Sequence, residues 1–212
     1  MTKKIALCMI CLAVLVGVHF SAVALAQIVV GLQEGDLMEY QVTCIGDVPE
    51  KHDVDRATIE VVSVKGTTVD IKLTSIYSDE TEETDHSTLN LETGQIGDAF
   101  IIPANLSEGD TFLEQTEGNI TISGVEHKKY AGAKRAVVTA TTTYTMFYWD
   151  QSTGFLVEAT STYSNFTITT KAEKTNIWET EPYEIDPIIS IILIATVIGA
   201  VLTLFLRDKN KK

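Results

Sequence analysis

Cysteine, proline and positive charge are scarce in this sequence. Its 212 residues hold 3 Cys, 4 Pro and 16 Lys plus Arg against 29 Asp plus Glu, a formal net charge of -13. Three thiols do not make a disulfide-stapled scaffold. The acidic balance argues against nucleic acid as a partner, because a phosphate backbone is bound by clustered Lys and Arg. Catalytic motifs are missing too: no Gly-x-Ser-x-Gly elbow, no His-Glu-x-x-His and no Gly-rich phosphate loop occurs. His19, His52, His86 and His127 are scattered singly, without the spacing of a zinc site. No catalytic, cofactor-binding or metal-ligating residue is assigned, and the chain is not expected to be an enzyme. Apolar residues are plentiful at 45%, which excludes a disordered chain. The length suits one ordinary domain with extra segments.

Those apolar residues concentrate at the two ends. Lys3 and Lys4 precede an apolar run from Ile5 to Phe20, and Ala24-Leu25-Ala26 precedes Gln27. A basic start, an apolar stretch and a small-x-small site predict a secretory signal peptide over residues 1–26, cleaved between Ala26 and Gln27. An uncleaved signal anchor is the competing reading and exports the same region. Residues 188–206 form an uncharged stretch of 19 residues, and at about 1.5 Å per residue such a helix crosses the roughly 30 Å core of a bilayer. Residues 181–187 form a juxtamembrane linker ending in Asp186 and Pro187. The basic tail 207–212, with Arg207, Lys209, Lys211 and Lys212, sets the C-terminus in the cytoplasm. The expected location is the cell membrane, single-pass, with the N-terminal domain outside and the bilayer as a partner.

Between these ends the patterning has period two. Val69, Ile71 and Leu73 alternate with Asp70, Lys72 and Thr74, and Ile120 and Ile122 alternate with Asn119, Thr121 and Ser123. Similar runs lie at 37–45, 57–64, 87–91, 99–102, 136–149, 155–163 and 166–174, rich in Val, Ile, Thr and aromatics. Lys65-Gly66 and the stretch from Asp150 to Gly154 read as tight turns, with Gly supplying positive φ. The fold class expected for residues 27–180 is mainly β: an antiparallel meander of about eight to ten strands forming a sandwich or partial barrel, with the N-terminal signal helix and the C-terminal membrane helix outside it. Residues 27–186 carry 10 basic and 28 acidic side chains, so a strongly acidic domain lies between two basic topological signals. Leu32-Gln33-Glu34-Gly35-Asp36 is echoed by Leu106-Ser107-Glu108-Gly109-Asp110, read as shared turn chemistry rather than a duplicated half-domain.

The string from Tyr148 to Glu158, with Trp149-Asp150 and Thr153-Gly154 at its centre, resembles the aromatic-Asp-x-x-Thr-Gly-apolar hairpin of lipoprotein-carrier half-barrels. Taken with the Glu34 to Tyr40 opening, the Phe100 to Leu106 segment and the Lys174 to Trp178 close, the exported region resembles a family of archaeal membrane-anchored surface β-proteins. That resemblance implies location and fold class and carries no activity.

Three Asn-x-Ser/Thr triplets begin at Asn105, Asn119 and Asn165, all candidates for glycan attachment on an exported domain. The acidic run from Asp79 to His86 lacks the Gly and closing Glu of an EF-hand and reads as a solvated hairpin loop. Cys44 shares a strand face with Met38, Tyr40 and Val42 and reads as a small buried hydrophobe, with an exposed thiol as the alternative. Thr139, Thr141, Thr143 and Thr145 are expected to share a face with Phe147 and Trp149. The function these features favour is an envelope binding or structural module at the cell surface, contacting other envelope proteins, glycans or cations. The alternatives are a half-barrel carrier of a lipid or other hydrophobic ligand, which needs an unfilled apolar hollow, and an exported hydrolase.

Overall fold

The computed structural model describes residues 28–181. The signal 1–26 with its cleavage site Ala26 and Gln27, the span 188–206 and the tail 207–212 lie outside the described residues. Among the described residues no helix is long and apolar enough to cross a membrane. Eleven strands follow in chain order: β1 Leu37–Gly46, β2 Val54–Lys65, β3 Thr68–Tyr77, β4 Glu82–Asn90, β5 Thr111–Glu114, β6 Gly118–Thr121, β7 Gly124–Tyr130, β8 Ala133–Thr141, β9 Thr145–Asp150, β10 Leu156–Thr162 and β11 Phe166–Thr175.

Nine of them form one antiparallel sheet in the order β4-β3-β2-β1-β11-β10-β9-β8-β7, and β5 and β6 pair separately. Two meanders, β1 to β4 and β7 to β11, are thus joined along β1 and β11, with β4 and β7 as the open edges. The expected antiparallel β class is what the chain forms. The turns predicted at Gly66 and Gly154 are present, with φ of +63° and +75°. Gly154 has a second reason to lack a side chain: a Cβ there would meet the Ile102 carbonyl oxygen.

Most strands turn apolar positions to one common face. Met38, Tyr40, Ile59, Val61, Val69, Ile71, Val138, Ala140 and Trp149 are all buried there, as period-two alternation dictates. Residues 91–123 must connect the two edges of a nine-stranded sheet, which in a flat sheet would lie roughly 38 Å apart at the ordinary strand spacing. The connection runs over the apolar face, where its own Leu91, Ile96, Ile101, Ile102, Phe112, Ile120 and Ile122 join the same core. Phe112 meets Trp149 edge-on at 5.5 Å between ring centroids, and the Trp149 indole N–H donates to the Ala99 carbonyl at 2.6 Å. The Tyr40 hydroxyl donates to the Leu156 carbonyl at 2.8 Å, so even the buried phenol is satisfied.

Several sequence expectations are corrected. Residues 99–102 form no strand; Ile101 makes a single bridge to Phe155, and the Ile102 N–H donates to the Gly154 carbonyl, so this extended piece is tied to the β9–β10 turn. The run 136–149 is two strands reversed at residues 142–144. The reversal changes which side chains share a face: Val138 and Ala140 pair with Trp149 and Phe147, leaving Thr139 and Thr141 on the opposite face. The acidic run is mostly strand, since Glu82 to Asp85 belong to exposed edge strand β4, where repelling charge discourages edge-to-edge pairing. Cys44 is half-buried, near the end of the core face where the sheet is less covered, and burial pushes its thiol upward with help from Asp53.

The two Leu-x-Glu-Gly-Asp segments adopt one conformation. In each the Asp carboxylate accepts from the backbone three residues earlier: Gln33 N–H to Asp36 at 2.9 Å and Ser107 N–H to Asp110 at 2.8 Å. Gly35 and Gly109 both sit at φ +88° and donate to Val61 and Ile122, one on each following hairpin. The strands they introduce differ, ten residues in β1 and four in β5. Shared turn chemistry accounts for the echo.

Candidate functional site

The face opposite Trp149 and Ala140 is mixed, with Val137 and Tyr130 buried on it, and one row across it carries most of its polar chemistry. Gln41, Lys171, Glu158, Tyr148 and Thr139 are successive cross-strand partners from β1 through β11, β10 and β9 to β8. The sheet curls over this row. Tyr130 on β7 donates its hydroxyl to Glu158 on β10 at 3.0 Å, although three strand spacings would separate the two strands by about 14 Å in a flat sheet. Lys171 holds its ammonium 5.7 Å from the Tyr130 ring centroid and 3.8 Å from Glu158. Lys128, also on β7, lies 3.6 Å over the Tyr148 ring and 3.4 Å from Glu126. Burial, then the neighbouring Glu158 carboxylate, pushes the Tyr130 phenol far above its ordinary value; it stays a neutral donor.

Beside this cluster an open groove of about 350 Å³ is lined by Gln41, Thr43, Thr169, Lys171, Ala172 and Glu173. The extra residue in β11, between the partners of Glu39 and Tyr40, widens the sheet locally and brings Glu173 to the groove. Its walls offer an amide, two hydroxyls, an ammonium and a carboxylate, and no histidine or thiol. Such a lining exchanges hydrogen bonds with a hydroxyl-rich ligand.

The base of the sheet is held by a second network. Asp150, 1% exposed, accepts from Arg135 Nε at 2.7 Å, Ser152 Oγ at 2.6 Å, Thr153 N–H at 3.0 Å and Thr153 Oγ1 at 2.9 Å. Burial alone would raise this carboxyl, but Arg135 and the donors of Ser152 and Thr153 outweigh it and hold it below the usual range. The Asp-x-x-Thr-Gly string is thus a turn-building device. Arg135 also stacks 4.6 Å from the Trp178 ring. Beyond it the Glu181 N–H donates to the Gly132 carbonyl.

The three sequons are separate. Asn105 is exposed in a turn at φ +61°, Asn119 is exposed on β6, and Asn165 is exposed in the β10–β11 turn. The histidines do not meet in one place: His52 follows β1, its backbone carbonyl accepting from the Cys44 thiol at 3.6 Å, while His86 and His127 belong to opposite edge strands. Among the described residues no group of three His, Cys, Asp or Glu is placed to hold a metal ion. The Tyr130–Glu158–Lys171 cluster has no local signature in the sequence, because β7 shows no apolar alternation and only the curl of the sheet carries Tyr130 to Glu158. The opposed charges of Glu158 and Lys171 become a signal only when the β10–β11 register is known.

No family model and no curated protein matches the chain. A solved structure described as "The Siderocalin Ex-FABP functions through dual ligand specificities" aligns at 8% identity and TM-score 0.26, covering 75% of this chain and 80% of that one. A likeness at that level carries no argument.

Proposed function

We propose that the chain is a membrane-anchored cell-surface protein whose β domain is an envelope binding module, working through its polar sheet face on hydroxyl-rich partners such as surface glycans. The observation that carries this reading is the filling of the apolar face by residues 91–123. A carrier of lipid needs that face as a hollow, and here Ile96, Ile101, Ile102 and Phe112 occupy it. The open groove lies on the other side, where Gln41, Thr43, Thr169, Lys171 and Glu173 bring polar ends to its walls. We read the curled β7–β11 half as a partial barrel around the polar row.

The topology agrees with anchorage at one end. Residue 28 and residue 181 enter and leave near the Gly132 and Ser152 end of the sheet, since Gly31 packs against Ser152 and Thr153 and Glu181 bonds to Gly132. The apolar segments 1–26 and 188–206 adjoin that same end in sequence. Net acidity repels acidic polymers, which favours neutral saccharides as ligands.

The test is binding of the purified full chain, in detergent micelles, to immobilised neutral polysaccharide from the host envelope. Lys171→Ala removes a charged hydrogen-bond donor from the groove and is expected to weaken binding about tenfold, from the roughly 1.5 kcal/mol such a bond contributes. Thr84→Ala on the far edge leaves it unchanged. Equal binding by both variants, or saturable uptake of a fatty acid in place of saccharide, contradicts the proposal.

A further inference from the structure

The end of the sheet away from Gly132 carries an aromatic patch that the core does not absorb. The Tyr144 and Tyr163 rings stack at 5.9 Å between centroids, and Tyr163 and Phe166 stack at 4.5 Å. Tyr144 is 60% and Tyr163 42% exposed, and Ile45, the partner of Thr167, is 67% exposed. β11 alone is ten residues long, so the patch stands roughly 33 Å from the base at the usual strand rise.

One of the three sequons lies inside this patch. Tyr163, Ser164 and Asn165 link β10 to β11, the turn closed by Tyr163 N–H donating to the Phe166 carbonyl at 2.9 Å. Asn165 is therefore bracketed by the two stacked rings. Its backbone carbonyl accepts from the Asp47 N–H at 3.2 Å, while its side chain, exposed, accepts one hydrogen bond among the described residues, from the Ser164 hydroxyl at 3.4 Å. Thr167, two residues on, completes the acceptor triplet. Asn105 and Asn119 have no such setting: Asn105 follows Ala104 and precedes half-buried Leu106, and Asn119 sits opposite Leu113.

We propose that Asn165 is the glycosylated residue of this chain and that the Tyr144–Tyr163–Phe166 stack is the platform its first sugars cover. The occupant is tethered in the patch. A pyranose has one face of C–H bonds, which packs on an aromatic ring while its hydroxyls remain in water. The exposed rings gain apolar cover without a second protein. The transfer forms a bond between Asn165 Nδ2 and the anomeric carbon of a lipid-linked oligosaccharide. The bond from that carbon to the lipid phosphate oxygen breaks, the phosphate leaves with the electron pair, and the amide nitrogen loses one proton. The inference rests on the surface reading, because the donor is met only on the exported side.

The experiment is site-resolved mass spectrometry of the full chain expressed in a glycosylating host whose own exported glycoprotein serves as control. Trypsin releases residues 136–171 as one peptide containing Asn165 and neither other sequon. The expected result is glycan on that peptide, absent in Asn165→Gln. Enzymatic removal of the glycan should lower the wild-type Tm by about 2–4 °C, the shift that about 1 kcal/mol produces in a domain of this size. The shift should vanish in Tyr144→Ser/Tyr163→Ser, whose occupancy at Asn165 is measured in parallel. Occupancy of Asn105 or Asn119 with Asn165 bare overturns the inference and leaves the surface reading standing. A chain bare at all three sites beside a glycosylated control overturns the inference, while labelling of intact cells tests the surface reading separately. Occupancy of Asn165 with no change in Tm on removal overturns the platform.

Discussion

Replacing Asp150 tests how this sheet is closed at its base. The carboxylate is 1% exposed and holds Arg135, Ser152 and two groups of Thr153 through four hydrogen bonds. Asp150→Ala strands the Arg135 guanidinium, whose side chain is only 25% exposed, and leaves the Thr153 N–H without its acceptor. Breaking a buried pair from one side costs about 3–5 kcal/mol, a large part of the roughly 5–15 kcal/mol that holds a domain together. With a urea slope near 2 kcal/mol/M, the unfolding midpoint of the full chain should fall by roughly 2 M. Fluorescence reports on the right place, because Trp149 precedes Asp150 and Trp178 lies over Arg135. Asp150→Asn keeps the shape and the Thr153 contacts and should cost less. The carboxyl is depressed in the folded chain, so its contribution is complete above the unfolded value near 3.9 and is lost as pH falls through the lower folded value. The gap between wild type and Asp150→Asn should therefore close in acid. An Asp150→Ala chain within about 0.5 kcal/mol of wild type, or a gap that stays constant from pH 6 to pH 2.5, refutes the reasoning.

Two further perturbations follow from the same geometry. Gly154→Ala places a side chain at φ +75° and against the Ile102 carbonyl; it should destabilise by more than the roughly 1–2 kcal/mol that a left-handed backbone costs an L side chain, and a thermal midpoint equal to wild type would show that 102–104 does not rest on this turn. The Tyr40 and Tyr130 phenols are both raised by burial, Tyr130 also by Glu158, so their contribution is full below the unfolded value near 10 and is lost as pH rises toward the folded values. Absorbance at 295 nm should show these two resisting ionisation at pH 11 until the fold opens, with Tyr130→Phe removing one of them; all tyrosines ionising together near pH 10 would contradict their burial.

Much of the sheet is legible in the residues. Val69, Ile71 and Leu73 alternate because one face is buried, Gly66 and Gly154 take the positive φ that glycine adopts without cost, and of the two Gly154 alone has a backbone oxygen where a Cβ would go. What escapes the pattern does so for physical reasons. Phe100 to Ile102 look like a strand because they are apolar and extended, yet they serve as a core segment crossing the sheet, stitched to the β9–β10 turn. β7 reads Gly124 to Tyr130 with charge at Glu126, Lys128 and Lys129, and its inward Lys128 and buried Tyr130 meet Tyr148 and Glu158. Period-two reasoning has no signal for a strand that faces a polar row. Asn105, Asn119 and Asn165 were all visible as triplets; only the stacking of Tyr144, Tyr163 and Phe166 around Asn165 tells them apart. The groove at Lys171 depends on register and curl, which no short stretch of residues encodes.

The most direct measurement of the surface reading is cysteine labelling on intact cells with a membrane-impermeant maleimide. Cys44→Ser removes the one thiol of the described domain, and single cysteines then replace Glu82, exposed on edge strand β4, or Asn210 in the basic tail. The account predicts that Glu82→Cys is labelled on intact cells and Asn210→Cys only after the membrane is opened. Labelling of Asn210→Cys on intact cells, with Glu82→Cys protected until lysis, would place the β domain inside and contradict it.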